Sequence, residues 1–408
     1  MDTTGIRFVD ELKLKGKTVF IRCDFNVPLD GEGNITDDAR IQAALPTIEV
    51  ALKKGAKVIL ASHLGRPKGT VKPELSLAPV GNRLSELLGM EVILPSDVMD
   101  EHTDKLLAEI KPDKQIMLLE NLRFNPGEKK NDPDFAARLA SFADVYINDA
   151  FGTAHRAHAS TYGMVRHFDQ KPKIKAGGLL IRAELEQLGA LLTRPERPFI
   201  AVMGGAKVSD KLEVLHSLID RVQGILVGGA MAYTFLKAQG YGVGGSLVET
   251  DLLDDANEIL QKASNRNVTI HLPQDHVVVS NFDDETGEIT EGVNIPDGTL
   301  GLDIGPKTRS AYANVLAKAA TVFWNGPMGV FEREAFAEGT FAVAQALANS
   351  NARSVVGGGD SASAVRAAGL LDAITHVSTG GGASLEFVEG RTLPGIEGLR
   401  SNHPFDLD

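Results

Sequence analysis

The feature that most constrains this 408-residue sequence is a unit that recurs along its length. Each unit is a short run rich in Val, Ile, Leu or Phe, followed by a glycine-bearing or polar turn and then by a helical stretch. Strands that alternate with helices in this way form parallel sheets. The predicted strands are Thr18–Cys23, Lys57–Ala61, Ile116–Leu119 and Val145–Ile147 in the first half, and Phe199–Met203, Gly224–Val227, Val268–Leu272, Thr321–Trp324, Ser354–Val356 and Thr375–Val377 in the second.

A helical stretch, Leu179–Leu192, separates the two halves, and Pro195 and Pro198 end it. We therefore predict an α/β fold of two doubly wound parallel-sheet (Rossmann-like) domains, each a three-layer αβα, joined by this hinge helix. The predicted bounds are residues 1–178 for the N-terminal domain, 179–194 for the hinge helix and 195–389 for the C-terminal domain.

Composition narrows the function classes. Lys and Arg number 42 against 54 for Asp and Glu, and the net charge of −12 argues against a general nucleic-acid or anionic-membrane binder. The single cysteine, Cys23, cannot form an internal disulfide and is typical of a reducing compartment. The first residues show no secretory signal, and no apolar run is long enough to span a bilayer. We therefore expect a soluble, cytoplasmic protein without nucleic-acid or membrane partners.

Charged and polar side chains follow every predicted strand of the first half. The carboxyl ends of parallel strands share one edge of the sheet, and ligands bind there. Four arginines with a histidine and an amide at that edge suit a small, multiply charged anion such as a phosphorylated carboxylic acid. An isolated arginine after a strand is more often a surface ion-pair partner, but here several successive strands end this way. The residues are Asp24, Asn26, Arg40, His63, Arg66, Arg123, His155 and Arg156.

Two other interpretations of these segments are weaker. His155 and His158 have the spacing of a metal-binding pair, but no third ligand stands out. Cys23 lies within a strand, and no nearby base would activate it as a nucleophile. A buried structural thiol is therefore the better interpretation of Cys23.

Glycine-rich turns follow the predicted strands of the second half. Glycine at such a turn lets phosphate oxygens approach backbone N–H groups, and the next helix N-terminus adds partial positive charge. Five such turns predict a nucleotide-binding edge, although none matches a P-loop or a dinucleotide-binding fingerprint. They are Gly204-Gly205-Ala206-Lys207, Gly228-Gly229-Ala230, Gly326-Pro327-Met328-Gly329, Gly357-Gly358-Gly359-Asp360 and Gly380-Gly381-Gly382.

Charged residues in or near these turns fit phosphate chemistry. Lys207 and Lys211 are four residues apart across the predicted start of a helix, so we expect both on one face within reach of a phosphate. A solvated lysine pair is the alternative. Asp360 closes a triple-glycine turn, where a lone carboxylate usually serves Mg²⁺, although it also suits a helix cap. The amides of Gly380–Gly382 are expected to cradle a phosphoryl group in transit.

Seven motifs follow one another in an order that resembles a known family. They are Arg22-Cys23-Asp24-Phe25-Asn26-Val27-Pro28, Ser62-His63-Leu64-Gly65-Arg66-Pro67, Glu120-Asn121-Leu122-Arg123-Phe124, Asp149-Ala150-Phe151-Gly152-Thr153-Ala154-His155-Arg156, Gly204-Gly205-Ala206-Lys207-Val208, Trp324-Asn325-Gly326-Pro327-Met328-Gly329-Val330-Phe331-Glu332 and Gly357-Gly358-Gly359-Asp360-Ser361. Together they resemble the phosphoglycerate kinase family over nearly the whole chain. Cys23 replaces the valine that is common in that family.

The resemblance implies an N-terminal domain that binds 3-phosphoglycerate or 1,3-bisphosphoglycerate and a C-terminal domain that binds ADP or ATP with Mg²⁺. The implied acid-substrate residues are Asp24, Phe25, Asn26, Arg40, His63, Leu64, Gly65, Arg66, Arg123 and Arg156. The implied nucleotide residues are Lys207, Gly229, Gly301, Asn325, Glu332, Gly357, Gly358, Gly359, Asp360 and Ser361. Within that set, the resemblance implies that Asp360 holds the metal, Glu332 contacts the ribose and Gly301 lies at the adenine.

The resemblance implies a phosphotransferase of glycolysis or gluconeogenesis. Its reaction is the reversible transfer of a phosphoryl group from 1,3-bisphosphoglycerate to ADP, which gives ATP and 3-phosphoglycerate. The leaving carboxylate needs no proton, so catalysis should come from in-line positioning and charge stabilisation. The residues expected around the transferring group are Arg40, Lys207, Lys211, Gly381 and Gly382.

The resemblance also implies a monomer whose domains close about a hinge. The implied hinge is the Leu179–Leu192 helix, with Glu184, and the stretch around His376. Residues 390–408 are implied to fold back onto the N-terminal domain, although the tail Ser401–Asp408 looks individual. Two other classes stay open: a different two-domain α/β nucleotide-dependent enzyme, such as a nicotinamide-dependent dehydrogenase, and a hinged binding protein.

Overall fold

The computed structural model describes residues 3–169 and 172–400, which divide into two units. The N-terminal unit runs to Glu186 and also includes the residues from Thr392 onward, and the C-terminal unit is Gln187–Arg391. The boundary falls inside one helix, α6 (Leu179–Thr193). The predicted domain and hinge bounds remain predictions.

The described part of the N-terminal unit contains one six-stranded parallel sheet in the order β3-β4-β2-β1-β5-β6. Its strands are β1 (Thr18–Cys23), β2 (Lys57–Ala61), β3 (Glu91–Ile93), β4 (Gln115–Leu118), β5 (Val145–Asp149) and β6 (Ile174–Gly177). Its helices are α1 (Ala39–Lys53), α2 (Ala78–Leu88), α3 (Glu101–Glu109), α4 (Gly127–Lys130), α5 (Pro133–Ser141) and the first part of α6 (Leu179–Thr193).

Burial explains which strands the sequence pattern detects. In β1, which lies between β2 and β5, Val19, Phe20 and Ile21 are fully buried. Strands covered on both faces carry continuous apolar runs. The edge strands β3 and β6 are short, and β3 is only partly buried, so their sequences lack that run and both were missed.

The C-terminal unit has the same plan in its described residues, with a six-stranded parallel sheet in the order β15-β14-β13-β7-β8-β9. The strands are β7 (Phe199–Met203), β8 (Gly224–Val227), β9 (Thr269–His271), β13 (Thr321–Asn325), β14 (Arg353–Gly357) and β15 (His376–Val377). The helices are α7 (Leu212–Ile219), α8 (Met231–Ala238), α9 (Leu253–Asn265), α10 (Pro306–Leu316), α11 (Glu338–Ala348), α12 (Gly359–Ala367) and α13 (Gly382–Val388). The predicted fold class of two parallel-sheet α/β domains is confirmed.

A small antiparallel sheet in the C-terminal unit was not predicted. It has the order β11-β10-β12, with β10 (His276–Val279), β11 (Glu288–Ile289) and β12 (Leu300–Ile304). Buried Val278 of this sheet packs with Tyr233 and Leu236 of α8. The sheet therefore adds an apolar layer over α8, next to the glycine turn that follows β8.

The helix α6 begins where two side chains receive its first amides. The carboxylate of Asp149, at the end of β5, accepts hydrogen bonds from the N–H groups of Leu180 at 3.0 Å and Ile181 at 3.3 Å. Thr47 of α1 accepts from the N–H of Leu179 at 2.8 Å. These bonds satisfy orphan donors of the helix N-terminus. The predicted helix Leu179–Leu192 is confirmed, with one further residue at its end.

The chain returns to the N-terminal unit after α13. The short helix α14 (Pro394–Glu397) lies there, with Leu393, Ile396 and Leu399 buried. The Gly395 N–H donates to Ala154 O at 2.8 Å, and the Asn148 amide donates to Gly395 O at 3.2 Å. The tail Ser401–Asp408 lies outside the described residues.

No helix within residues 3–169 and 172–400 has the length and apolar character needed to cross a bilayer.

Candidate active site

Asp24 and Arg40 meet where β1 ends. Arg40 Nη1 lies 2.5 Å from Asp24 Oδ2. Two residues further on, Asn26 Oδ1 accepts a hydrogen bond from the Gly65 N–H at 2.8 Å. The loop after β1 is thereby tied to the loop after β2, as expected for two parallel strands that end at the same edge.

His63, in the loop after β2, is buried beside Arg22. Its Nδ1 lies 3.2 Å from Arg22 Nη2, and because a guanidinium only donates, Nδ1 accepts and the ring proton is on Nε2. Burial lowers the pKa of His63 well below its ordinary value, and the positive charges of Arg22 and Arg123 lower it further. The ring is therefore neutral at physiological pH, with one N–H donor left for an anion.

Arg123 follows β4 and is also buried. Its Nη1 donates to Gly65 O at 2.8 Å, whereas its Nε has no partner among the described residues. Burial lowers the pKa of Arg123 to about 10, so the guanidinium keeps its charge at neutral pH. A buried guanidinium with an unused donor is suited to an anionic ligand.

Arg156 and Arg66 are exposed. Arg156 Nε lies 3.0 Å from His155 Nε2, and the charge of Arg156 contributes to the lowered pKa of Arg123. Arg66 directly follows Gly65, and its side chain forms no hydrogen bond or ion pair within the described parts of the chain. The fold therefore gathers Arg40 and Arg123 around His63, places Arg156 near Arg123, and leaves Arg66 in solvent on the loop after β2. We call this group the guanidinium cluster.

Two residues of the predicted acid site, Phe25 and Leu64, have side chains in the core. Phe25 is fully buried and Leu64 nearly so. The Phe25 N–H donates to Ser62 Oγ at 2.8 Å, and both backbone polar groups of Leu64 bond to the Asn121 side chain. These contacts shape the two loops, and the place of Phe25 and Leu64 in the acid site stays a prediction.

A buried charge network behind His63 was not foreseen. Arg22, Glu128 and Ser160 are fully buried. Arg22 Nε donates to Ser160 Oγ at 2.8 Å, and Ser160 Oγ donates to Glu128 Oε1 at 2.5 Å. The network fixes the guanidinium that holds His63. The one signal for it in the sequence was an arginine inside an apolar strand.

Two other residues of this unit that the sequence singled out, His158 and Cys23, are buried in the fold. Within the described residues, no group of three or more His, Cys, Asp or Glu side chains could hold a metal ion. His158 is buried, and burial lowers its pKa to about 3. Cys23 is a fully buried free thiol whose pKa burial raises well above the ordinary value. The interpretation of Cys23 as a buried thiol is confirmed.

In the C-terminal unit, a cavity of about 330 Å³ lies among the glycine-rich turns after β7, β13 and β14 and the start of α13. We call it the phosphate pocket, because exposed amides and two lysines line it. Its lining residues are Gly204, Gly205, Ala206, Lys207, Asp210, Lys211, Asn325, Gly326, Pro327, Gly358, Gly359, Asp360, Ser361, Gly381, Gly382 and Leu385.

Close packing makes glycine necessary at two of the glycine-rich turns of the C-terminal unit, the turn after β8 and the turn after β14. Gly229 has φ 66°, and a Cβ there would lie 2.5 Å from Gly205 O. Gly358 has φ 96°, and a Cβ there would lie 2.7 Å from Asn325 Nδ2. Both positions exclude a side chain sterically and by backbone conformation.

Lys207 and Lys211 line the same pocket, but not for the predicted reason. The helix α7 begins only at Leu212, so both lysines lie in the turn before it and are not neighbours on a helix face. The Lys211 N–H donates a hydrogen bond to Val208 O at 2.8 Å, which closes a turn of four residues. Burial lowers the pKa of Lys211, although the negative charges of Asp210 and Asp360 oppose this effect.

Asn325 organises the floor of the phosphate pocket. Its Oδ1 accepts a hydrogen bond from Lys211 Nζ, and its Nδ2 donates to Gly357 O at 2.7 Å. Ser361 Oγ accepts from the Gly326 N–H at 2.6 Å. Gly357 and Ser361 therefore support the turns, and of these two only Ser361 lines the cavity.

A second cavity, of about 340 Å³, shares Gly205, Ala206, Pro327 and Asp360 with the phosphate pocket. We call it the base pocket, since most of its other lining residues are apolar. They are Gly229, Ala230, Tyr233, Leu247, Phe282, Leu300, Gly301, Leu302, Gly329, Val330 and Glu332. The antiparallel sheet supplies part of this wall through Leu300, Gly301 and Leu302. The glycine-turn pattern indicated Gly229, Ala230 and Gly329, whereas Gly301 and Glu332 came from the family resemblance.

Asp360 lies at the junction of the two pockets, in the first turn of α12. It is exposed, and its carboxylate has no hydrogen-bond partner among the described residues. Mg²⁺ bound with a nucleotide takes one or two carboxylates and completes its shell with phosphate oxygens and water. A free carboxylate beside a phosphate pocket fits that ion, and the exposed carboxylate of Asp210 lines the same pocket.

Gly381 and Gly382 stand at the start of α13, on the wall of the phosphate pocket. A Cβ at either glycine would meet no atom within 4 Å. The space around these amides is therefore open to a ligand.

Nearly the whole sequence is similar to proteins of one known family. A family model described as phosphoglycerate kinase matches residues 9–391. The chain belongs to the phosphoglycerate kinase family. A phosphoglycerate kinase of Anaeromyxobacter dehalogenans (strain 2CP-1) is 59% identical over 399 residues, which cover 96% of this chain and 99% of that protein. One of Clostridium botulinum (strain Alaska E43) is 54% identical over 393 residues, covering 96% and 98%.

Solved structures of the phosphoglycerate kinase family agree with the fold. The phosphoglycerate kinase of Coxiella burnetii is 42% identical and superposes with a TM-score of 0.86, covering 98% of this chain and 100% of that one. The one from Pyrococcus horikoshii OT3 is 34% identical with a TM-score of 0.83, covering 97% and 99%. The resemblance drawn from the seven motifs is confirmed.

Proposed function

We propose that this chain is a phosphoglycerate kinase that catalyses reversible transfer of a phosphoryl group from 1,3-bisphosphoglycerate to ADP, giving 3-phosphoglycerate and ATP. The observation that carries the proposal is the pair of adjoining cavities in the C-terminal unit, one apolar and one lined by amides and lysines, which share Asp360. An apolar pocket joined to a phosphate pocket suits an adenine nucleotide.

The acid substrate binds at the guanidinium cluster. Arg40, Arg123 and Arg156 supply positive charge, and neutral His63 supplies a single donor. These groups match a carboxylate and a phosphate on one small molecule. Asp24, Asn26 and Arg66 complete the proposed site, and Gly65 holds the loop through its contacts with Asn26 and Arg123.

The nucleotide binds across the two cavities. Its base enters the base pocket at Gly229 and Gly301, and its ribose contacts Glu332. Its phosphates reach Lys207, Gly358 and Gly359, with Asn325, Gly357 and Ser361 fixing the turns around them. This arrangement uses the glycine amides that the sequence pattern nominated.

The chemistry needs no general base. A β-phosphate oxygen of ADP attacks the acyl phosphate, and the departing carboxylate leaves without a proton. The charges of Arg40, Lys207 and Lys211 stabilise the transferring group, together with the amides of Gly381 and Gly382. Positioning and charge stabilisation therefore account for catalysis.

Mg²⁺ would be held by Asp360 and would supply charge neutralisation of the nucleotide phosphates when bound. Because the acid and the nucleotide are assigned to different units, the units must approach for transfer, with α6 and the stretch around His376 as the hinge. We further propose that the protein acts as a cytoplasmic monomer in glycolysis or gluconeogenesis, with small molecules as its substrates.

A coupled assay of ATP-dependent phosphorylation of 3-phosphoglycerate, with and without Mg²⁺, tests the proposal. We expect product only when ATP, the acid and Mg²⁺ are all present. Oxidation or reduction of a nicotinamide cofactor by this protein alone, without coupling enzymes, would instead support a dehydrogenase. Tight binding of either ligand without turnover would support a binding protein, and both results would contradict the proposal.

A further inference from the structure

Glu249 lies outside every motif described above, yet it holds the turn that carries Lys207. Its Oε2 accepts hydrogen bonds from the N–H groups of Val208 at 2.6 Å and Ser209 at 3.1 Å. Its Oε1 accepts from Ser209 Oγ at 2.6 Å. One carboxylate thus receives three hydrogen bonds from the two residues that directly follow Lys207.

The turn needs this support, because it has no regular structure of its own. The residues between the end of β7 at Met203 and the start of α7 at Leu212 form no helix or strand. Lys207 is exposed, and a free lysine side chain has large conformational entropy. Fixing the backbone on its C-terminal side reduces the number of directions in which the ammonium group can point.

Glu249 is itself firmly anchored in the C-terminal unit. Its N–H donates to Oγ1 of the buried Thr234 in α8 at 3.1 Å. Earlier in the same loop, the Gly245 N–H donates to Thr299 O at 2.7 Å, and Ser246 Oγ accepts from the Gly301 N–H at 2.9 Å. The loop of residues 244–249 therefore supports the phosphate-side turn and the base-side strand β12 together.

The charge of Glu249 also acts on Lys207. Burial raises the pKa of Glu249, but the hydrogen bonds from Ser209 and Val208 and the positive charge of Lys207 outweigh it, so its pKa lies below the ordinary value. The carboxylate is thus ionised at neutral pH. It makes charge-assisted hydrogen bonds, which are the strong kind.

We propose that Glu249 is a positioning residue for phosphoryl transfer: by fixing the Val208–Ser209 backbone, it aims Lys207 into the phosphate pocket. This inference rests on the proposed function, in which Lys207 stabilises the transferring group. Glu249 does not touch the substrate, so its effect must pass through Lys207.

The test is the Glu249→Gln variant of the full chain, assayed with ATP and 3-phosphoglycerate. An amide of the same shape lacks the charge and cannot accept all three hydrogen bonds. We expect kcat to fall by about ten- to a hundredfold, the range seen when a supporting contact of a reacting group is lost. The KM for ATP should change by less than about threefold, since the base pocket is unaltered.

Asp251→Asn is the matched control, because it removes one nearby exposed carboxylate that takes no part in this contact. Its kcat should stay within about twofold of the parent value. Equal losses in the two variants would mean that only net charge matters, and would overturn the inference.

A double-mutant cycle separates positioning from general stabilisation. In a Lys207→Ala background, Glu249→Gln should change kcat by less than about twofold, because the ammonium group that Glu249 positions has been removed. If Lys207→Ala is impaired and Glu249→Gln costs the same factor in both backgrounds, the inference fails while the proposed function stands. If Lys207→Ala is fully active, or the parent protein has no activity, the role of Lys207 or the proposed function fails and the inference fails with it.

Circular dichroism and thermal melting establish that each variant is folded. If Glu249→Gln does not fold, Ser209→Ala replaces it in the cycle, since that change removes only the bond from Ser209 Oγ to Glu249. A smaller loss of kcat, about two- to fivefold, that disappears in the Lys207→Ala background supports the inference. The same loss in both backgrounds overturns it.

Discussion

Arg40 forms an ion pair with Asp24, and an incoming anion is able to compete with the Asp24 carboxylate for the Arg40 guanidinium. The Arg40 side chain is 38% exposed and the Asp24 side chain 10%, with 2.5 Å between Nη1 and Oδ2. Ion pairs with this degree of exposure contribute little to stability. The pair therefore holds Arg40 in the cluster without a large energetic barrier to its engaging a substrate.

We expect Arg40→Ala to lower kcat by about a thousandfold, as loss of a transition-state arginine does in other phosphoryl transfers. The affinity for ADP, measured by calorimetry, should be unchanged because the nucleotide binds elsewhere. Arg83→Ala is a matched control: its side chain is 37% exposed and pairs with Asp38, outside the cluster. Near-normal turnover in Arg40→Ala would rule out its assigned role.

Gly301→Ala should weaken nucleotide binding selectively. The new Cβ would lie 2.6 Å from Cζ of Tyr233 and closer still to its hydroxyl, and Tyr233 is buried and cannot easily move away. Overpacking of this kind costs about 1–3 kcal/mol. We expect the KM for ATP to rise by about tenfold, with little change in the KM for 3-phosphoglycerate.

The control for that substitution is Gly292→Ala, since a Cβ there would meet no atom within 4 Å. Its kinetic constants should match those of the parent. Should Gly301→Ala bind ATP normally, Gly301 would not border the base, and the assignment of the base pocket would need to change.

At the residue scale, sequence patterns located charged groups but not their surroundings. Arg123 and His63 were found because parallel strands deliver their C-terminal residues to one edge. Whether a side chain next to such a residue faces inward depends on packing, and the side chains of Phe25 and Leu64 pack in the core, which the strand pattern did not indicate. The support from Glu249 links it to residues 40 and 41 positions earlier, and no local pattern records such a contact.

At the scale of elements, the N-terminus of α6 depends on one buried carboxyl group. Asp149 is fully buried, its Oδ1 receives two helix amides, and its Oδ2 has no hydrogen-bond partner within the described parts of the chain. Burial raises the pKa of Asp149 from 3.8 to about 7, although Thr47 and the amides act in the opposite direction. The cap is therefore partly protonated near neutral pH.

This pKa predicts a pH dependence of stability. Between about pH 4 and 7 the folded protein binds more protons at Asp149 than the unfolded chain does, so the free energy of unfolding falls as pH rises through this window. Asp149→Asn keeps an oxygen acceptor for the helix but cannot titrate. We expect the stability lost by this variant, relative to the parent, to shrink as pH rises from 4 to 8.

Urea unfolding at a series of pH values measures the difference directly. Other buried groups, such as Asp303 with its pKa raised to about 7, cancel when the two proteins are compared. A stability difference that stays constant across this range would show that Asp149 does not titrate there.

The elements that escaped prediction share a physical cause. Buried central strands are recognised in the sequence as continuous apolar runs. The short edge strands β3 and β6 lack such runs. The antiparallel strands β10 to β12 lie in a polar, glycine-containing stretch and acquire their apolar contacts through α8 and through Phe336. Tertiary packing, which sequence periodicity does not report, decides their structure.

At the scale of the whole molecule, the assignment of the two substrates to different units requires motion. We predict that the radius of gyration, measured by X-ray scattering, falls when 3-phosphoglycerate and the magnesium complex of a non-hydrolysable ATP analogue are both present. Each ligand alone serves as the control and should produce a smaller change. An unchanged radius with both ligands would count against hinge closure.

The hinge itself stays a prediction at this scale. Motif order and the α/β pattern extend over the chain and predicted the family and the two-sheet plan. A hinge is a difference between two conformations, whereas motif order and periodicity describe elements that every conformation shares. Glu184 and the stretch around His376 stay the predicted hinge positions.

The packing of residues 392–400 against Asn148 and Ala154 has a consequence for protein synthesis. These residues emerge from the ribosome only after all of Gln187–Arg391 has been translated. During that interval the nascent N-terminal unit lacks the apolar side chains of Leu393, Ile396 and Leu399 that complete its surface. The unit whose translation begins first is therefore the last to be finished.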